Sequence, residues 1–281
     1  TIDLAMHPKP SLAMPEPAFT GNVEICPMEG ADCAIEGAKH FNLLPLEEHR
    51  RMRKAYYASV SFMDSQLGRV LDVLEETGLA KTTLIVFWGD HGYHLGEFGI
   101  WAKATEYELG TRVPLLVSMP DQRKPNIINE RVVELIDLFP TLIEAAGLPQ
   151  PYPDGASCLH GNSLMGLLLH PSSQKDGKEY FAYSQIQRSA GLHGISIRGK
   201  GYRFTEWVSF NETSGQPNFV ANVSSLIAAM NVELYAHQND GGDDFDSFEY
   251  VNLVTDPVHF KIIEELHFKL KRKWKWECSK K

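Results

Sequence analysis

Leu84-Ile85-Val86-Phe87-Trp88-Gly89-Asp90-His91-Gly92 decides the reading of this chain: a run of apolar strand formers that stops at a carboxylate, an imidazole and a glycine. A continuous apolar run of this kind is that of a strand covered on both faces. In open α/β sheets ligands sit outside the carboxyl ends of such strands, so Asp90 and His91 stand where chemistry is expected. Upstream, Val60, Met63, Leu67, Val70, Leu71 and Leu74 recur at helical spacing between Glu47 and Thr77, and Gly78 follows as a stop. A long amphipathic helix therefore feeds the strand. Downstream, Thr111-Arg112-Val113-Pro114 leads into a second short apolar run, Leu115-Leu116-Val117-Ser118, ended by Met119-Pro120. This rhythm of helix and strand predicts a parallel sheet.

Further along, Pro140 sits in the first turn of a predicted helix that ends at Gly147 and turns Leu142, Ile143 and Ala146 to a core. The stretch from Gln150 to Lys178 is rich in Pro, Gly, Ser and Asp and marks a boundary. Residues 1–150 then form one α/β domain, 151–178 a connection, and 179–281 a small α+β subdomain. Within the last, Gly194-Ile195-Ser196-Ile197-Arg198 and Tyr202-Arg203-Phe204-Thr205-Glu206-Trp207 flank a Gly199-Lys200-Gly201 turn, Glu233-Leu234-Tyr235 adds a strand, and Val258 to Trp276 supplies a helix. The basic run from Lys269 to Lys275 has two readings: the solvated face of that helix, or a contact for a glycan or membrane surface.

With 281 residues and 43% hydrophobic content the chain can bury a substantial core. No apolar run reaches membrane-spanning length. A net charge of -9 argues against a general nucleic-acid binder, which needs clustered Lys and Arg to neutralise phosphates. Cys26 and Cys33 lie close enough in sequence to close a small disulfide loop or to remain thiols, while Cys158 and Cys278 give no pairing by inspection. Two glycosylation sequons, Asn211-Glu212-Thr213 and Asn222-Val223-Ser224, agree with an oxidising secretory route. The opening segment, with Pro8, Pro10, Pro15 and Pro17, reads as an extended surface loop.

After Asp90-His91-Gly92 come Leu95-Gly96-Glu97, then Gly99-Ile100-Trp101-Ala102-Lys103, then Tyr107-Glu108. This order resembles the second signature of the type I sulfatases, members of the alkaline phosphatase superfamily. Many arylsulfatases of that family place Asn after the metal-binding Asp, whereas the iduronate-2-sulfatase branch places His, as here at His91. Tyr56-Tyr57-Ala58-Ser59-Val60-Ser61 with Asp64, Gly68, Arg69 and Leu71 is similar to the same branch. So are Ile136-Asp137-Leu138-Phe139-Pro140-Thr141-Leu142 and Gly194 to Arg198, and the likeness spans about residues 45 to 253.

The resemblance implies an alkaline phosphatase-like α/β fold: a mixed, largely parallel sheet flanked by helices, with a small C-terminal antiparallel sheet and helix. It implies a divalent cation, normally calcium, at Asp90 and His91, and a sulfate contact from Lys103. An isolated Asp-His pair after a strand would otherwise read as a loop with a capping Asp. Tyr93 and His94 depart from the branch, which carries a bulky aromatic and a small residue there; Tyr93 is a candidate for the sugar subsite. For His94 a donor to carboxylate or sulfate and a loop histidine bonded to backbone stay equally open. Arg198 and Arg203 are placed by the resemblance near the substrate mouth, where guanidinium grips a uronate carboxylate, with a cross-strand pair to Glu206 as the competing reading. The family's Cys-x-Pro-Ser-Arg or Ser-x-Pro-Ser-Arg nucleophile, oxidised to formylglycine, does not occur in these 281 residues, nor does its N-terminal pair of metal-binding aspartates. The expectation is the C-terminal part of a longer sulfuric ester hydrolase, lysosomal or secreted, acting on iduronate-2-sulfate groups of heparan or dermatan sulfate. The missing N-terminal half would supply the formylglycine, and this chain alone would be inactive. Another sugar sulfatase of the family and a truncated, non-catalytic product are the alternatives.

Overall fold

The structure is a computed structural model that describes residues 46–120, 127–152, 159–170, 178–188, 191–211, 213–228, 231–241 and 248–274. The four cysteines and the Pro-rich opening lie outside the described residues. Two compact units emerge, one within residues 46–120 and the other within 127–274.

The first unit begins with α1 (Leu46–Glu76), which Gly78 stops in a left-handed conformation, φ 73. β1 (Ile85–Trp88) follows, then the short strands β2 (His94–Leu95) and β3 (Trp101–Ala102), the single turn α2 (Glu108–Thr111), and β4 (Leu115–Ser118). The helix and both apolar strands stand where the sequence puts them. Their pairing differs from the expected parallel arrangement, because β1 and β4 are antiparallel, with Ile85 opposite Ser118 and Trp88 opposite Leu115. A parallel crossover needs a long returning element, usually a helix. The only α-helix between β1 and β4 is the four residues of α2, so the chain returns alongside itself. The predicted apolar stripe of α1 is also exposed: Val60, Met63, Val70 and Leu71 are each at least a third accessible, and only His49 and Arg53 of this helix are buried. Trp88 and Leu116 are exposed as well.

The second unit contains α3 (Leu138–Ala145), α4 (Met165–Leu169), β5 (Ala182–Gln187), β6 (Leu192–Arg198), β7 (Tyr202–Asn211), β8 (Gln216–Pro217), α5 (Val223–Ala228), β9 (Val232–Ala236) and α6 (Phe260–Trp274). A 3-10 turn, Leu135–Asp137, precedes α3, and Glu134 with Asp137 forms a capping box across it. Of the residues expected to face inward from α3, only Ile143 does; Leu138, Pro140 and Thr141 complete its buried face. The sheet is antiparallel throughout, in the order β5-β6-β7-β8, with β9 also paired to β7. Ile195, Ile197, Phe204 and Leu234 from the strands pack with Ile263, Leu266 and Leu270 of α6 into one core. These three α6 residues recur at i, i+3 and i+7, as a helix laid on a sheet requires. The basic residues near its end lie at the negative pole of the helix, and Leu270 is wholly buried beneath them.

Candidate active site

The tip of β1 carries Asp90 and His91 on a turn that only glycine permits. Gly89 N donates to Pro114 O (3.2 Å) and Gly92 N to Gly110 O (3.0 Å), drawing the turn against α2. A Cβ on Gly92 would stand 1.9 Å from Leu109 O, so no side chain fits there. Both site residues face outward. His91 N donates to Asp90 Oδ1 (3.0 Å), and His91 Nε2 lies 3.4 Å from Asp90 Oδ2. The Asp90 side chain is 84% exposed, which leaves its carboxylate open to a ligand.

Lys103 comes from the strained segment that follows. Phe98 (φ 56), Ala102 (φ 71) and Ala104 (φ 73) are three of the four described non-glycine residues in left-handed conformation, and the last two flank Lys103 directly. Each such residue costs about 1–3 kcal/mol and persists only where its surroundings over-determine it. The two buried residues of α1 help to provide that restraint. Arg53 Nε donates to Leu95 O (2.8 Å) and its guanidinium lies 3.7 Å from Glu97, whose other oxygen accepts from Leu95 N. Trp101 Nε1 donates to His49 Nδ1 at 3.2 Å. The loop is thus clamped on both sides of Phe98 and directly before Ala102, and Lys103 is set half-buried beyond the clamp.

Tyr93 keeps partial exposure and stacks on Tyr56 of α1, with ring centroids 5.2 Å apart. His94 is different. It is fully buried against the rings of Phe98 and Tyr107, and its Nε2 bonds to Thr105 Oγ1 at 2.7 Å. The loop-histidine reading is corrected on both counts: His94 stands in β2 and bonds to a side chain in place of backbone. Burial also removes this ring from direct contact with an exposed ligand. Its Nδ1 has no hydrogen-bond partner, so protonation would place an unpaired N–H among aromatic rings, and desolvation lowers the pKa from 6.5 to about 3. Between those values the unfolded chain binds the proton and the folded chain does not. Stability contributed by neutral His94 is therefore complete above about pH 6.5 and falls as the pH drops, by about 2 kcal/mol at pH 5. Urea titrations at pH 7.5 and 5 should show this loss, and a His94→Asn variant should lack that part of the slope.

In the second unit, Arg198 and Arg203 lie opposite each other across β6 and β7. Arg198 donates to Asp240 Oδ2 (3.0 Å), His237 bridges Asp240 (3.0 Å) and Glu249 (3.1 Å), and Arg203 Nε closes the chain on Glu249 at 2.6 Å. The proposed cross-strand pairing with Glu206 is corrected: Glu206 instead meets His267 of α6 at 2.5 Å, and burial pushes its carboxyl pKa up. Arg203 is 1% exposed, and its guanidinium is engaged by Glu249 and Ser196. It cannot grip an external carboxylate from there without breaking this network. Arg198, 13% exposed, keeps a limited face to solvent.

The Sulfatase family model matches residues 7–148, half of the sequence. The chain belongs to the sulfatase family. A second model, for the C-terminal part of N-sulphoglucosamine sulphohydrolase, matches residues 96–215. Iduronate 2-sulfatase of Mus musculus is 31% identical over 94% of this chain and 55% of its own length; the Homo sapiens protein is 30% identical over 88% and 53%. The chain therefore spans about half the length of the curated relatives it matches. A solved sulfatase structure, yidJ from Bacteroides fragilis, superposes with TM-score 0.63 at 21% identity, covering 92% of this chain and 51% of that one. The fold is the α/β fold of the sulfatases, with the antiparallel sheet and helix expected at its C-terminal side.

Sulfatases of this family use a divalent metal, and Asp90 and His91 suit part of such a site. They offer a hard carboxylate oxygen and a ring nitrogen close together. Among the described residues no third His, Cys, Asp or Glu joins them within reach of one ion. Calcium takes six to eight oxygen ligands, so the pair fits as one side of a site only. Sequence reasoning missed His49, Arg53 and Thr105. His49 and Arg53 are an i, i+4 pair on one helical face, which is the one signal that links them, but nothing in the sequence says that this face is the buried one.

Proposed function

We propose that this chain forms the metal-and-lysine side of a sulfuric ester hydrolase that removes sulfate from iduronate-2-sulfate groups of heparan or dermatan sulfate, in a lysosomal or secreted setting. The observation that carries this reading is the loop after β1, where an exposed Asp90–His91 pair is followed by a strained, clamped segment ending at Lys103. Family membership and the likeness to iduronate 2-sulfatases support the choice of reaction and sugar. Asp90 and His91 would ligate a calcium or other divalent ion, which supplies charge stabilisation when bound. Lys103 would place its ammonium on a sulfate oxygen. Tyr93, braced by Tyr56, would line the sugar subsite, and His94 would support its segment from within the first unit. Within the second unit, Arg198 would be a substrate contact by family resemblance, and Arg203 would hold the charged network beside it.

The nucleophile, a formylglycine, would come from the part of the sulfatase domain that the relatives carry and this chain does not span. Among the described residues, the exposed apolar stripe of α1 and the two-stranded β1–β4 sheet agree with a domain that needs further cover, since a strand pair by itself is marginal. The purified chain should therefore show no turnover of a fluorogenic iduronate-2-sulfate, and metal-dependent turnover would overturn this assignment. A second reading, a sulfatase for another sulfated sugar, draws on the N-sulphoglucosamine sulphohydrolase match. Comparing iduronate-2-sulfate with N-sulfoglucosamine as substrates of the completed enzyme separates the two. Absence of a nucleophile motif in the completed reading frame would favour a non-catalytic product.

A further inference from the structure

We infer that the C-terminal part of α6 and the edge strand β5 form a docking surface for a sulfated, carboxylated polysaccharide, built as a row of cations laid on aromatic rings. β5 ends the sheet of the second unit, and Tyr180 and Phe181 lead into it. The Arg131 guanidinium lies 3.9 Å from the centre of the Tyr180 ring, Lys269 Nζ 5.0 Å from that of Phe181, and Lys273 Nζ 4.8 Å from that of Tyr183. All three are within the reach of a cation–π contact. Helix and strand keep step along this row. From Lys269 to Lys273 the helix rises about 6 Å, and from Phe181 to Tyr183 the strand advances about 7 Å. Each further turn of α6 therefore sets one ammonium over the next ring on that face of the strand. Phe181 and Tyr183 also pack against the core, which holds their rings from behind.

The charge of this row is not cancelled. α6 carries Glu264 and Glu265 ahead of it, and Lys269, Lys271, Arg272 and Lys273 in its last turns. Lys271 is turned aside and donates to Val220 O at 3.1 Å. Burial and Glu134 push the Tyr183 hydroxyl pKa up, and Arg272 opposes them, so the exposed Arg272 charge acts on the same ring as Lys273. Glu134 accepts from Tyr183 N (3.1 Å) and lies 3.4 Å from Lys273. Lys269 and Arg272 meet no carboxylate at ion-pair distance among the described residues. Rings in place of carboxylates leave their charge and N–H donors open to an anion.

A linear polyanion with recurring sulfate and carboxylate groups fits such a row. An ammonium takes a sulfate oxygen as a point charge, and a guanidinium takes a carboxylate along its edge. A bilayer fits less well, because the rings lie beneath the cations. α6 exposes Phe260 at its start and Phe268 beside the row, short of the apolar face that an interfacial helix needs. The choice of glycan rests on the proposed sulfatase function, but docking is read without turnover, so the two readings fail separately.

The test is binding of the whole purified chain to immobilised heparin and dermatan sulfate, beside vesicles of phosphatidylserine and phosphatidylcholine. The chain should bind both glycans despite its net charge of -9, and binding should fade between about 0.15 M and 1 M salt as screening shortens. Lys269→Gln and Arg272→Gln should each weaken binding about fivefold, the weight of one cation at an anionic surface, and the double variant about 25-fold. Lys261→Gln, which removes the same charge at the opposite end of α6, should bind as the wild type does. Arg272 is exposed, so its variant keeps the test even where Lys269→Gln loosens the helix. No retention on either glycan, equal binding by the wild type and the double variant, an equal loss in Lys261→Gln, or tighter binding to vesicles than to heparin overturns the proposal.

Discussion

Arg203→Ala should destabilise the second unit by about 3–5 kcal/mol, the usual result of removing one partner from a buried ion pair. Glu249 is wholly buried and would lose the guanidinium that lies 2.6 Å from its carboxylate, while His237 stays beside it at 3.1 Å. The carboxylate cannot make up for the lost countercharge by turning to water, because neither it nor His237 reaches the surface. Arg203→Lys should recover part of the loss, since an ammonium restores charge but not the guanidinium geometry. Urea unfolding followed by Trp207 fluorescence measures both variants, Trp207 being buried in the same sheet. A change within about 0.5 kcal/mol, typical of surface sites, would return Arg203 to the substrate-gripping role that the family resemblance suggested.

Lys103→Ala in a sulfatase completed with its nucleophile should lower turnover by about 2.7–4 kcal/mol in transition-state terms, by analogy with loss of an oxyanion-hole donor. The effect on folding should be much smaller, because Lys103 is half-buried and the restraints on its loop lie at Arg53, Glu97, His49 and Trp101. Strain at Ala102 and Ala104 is paid whether or not Lys103 keeps its ammonium. Steady-state kinetics and a thermal melt on the same protein separate the two effects. Near-normal turnover in a folded variant would remove Lys103 from catalysis.

Much of the fold was legible because periodicity reports local structure. The 3.6-residue spacing of Val60 to Leu74 gave α1, and the alternation around Gly199-Lys200-Gly201 gave the β6–β7 hairpin, whose register is fixed by a turn of neighbouring residues. Pairing direction was not legible. The direction of β4 relative to β1 depends on the path of the intervening chain, and short apolar runs look alike in parallel and antiparallel sheets. Side-chain partners were hidden for a similar reason. Arg203 finds Glu249 46 residues away and Arg53 finds Leu95 42 away, and an arginine in a sequence carries no mark of whether its charge is spent inside. At the candidate site the motif located Asp90, His91 and Lys103, but the clamp from α1 and the burial of His94 arise only from packing.

The most direct test is turnover of fluorogenic iduronate-2-sulfate by the completed sulfatase carrying Asp90→Asn, measured against metal concentration beside the wild type. The substitution keeps the turn's hydrogen-bond acceptor at Oδ1 and removes the anionic charge that a hard cation requires. The account predicts metal-dependent turnover in the wild type and a large loss in Asp90→Asn that added metal relieves only in part. Equal turnover and equal metal dependence in the two proteins would contradict it.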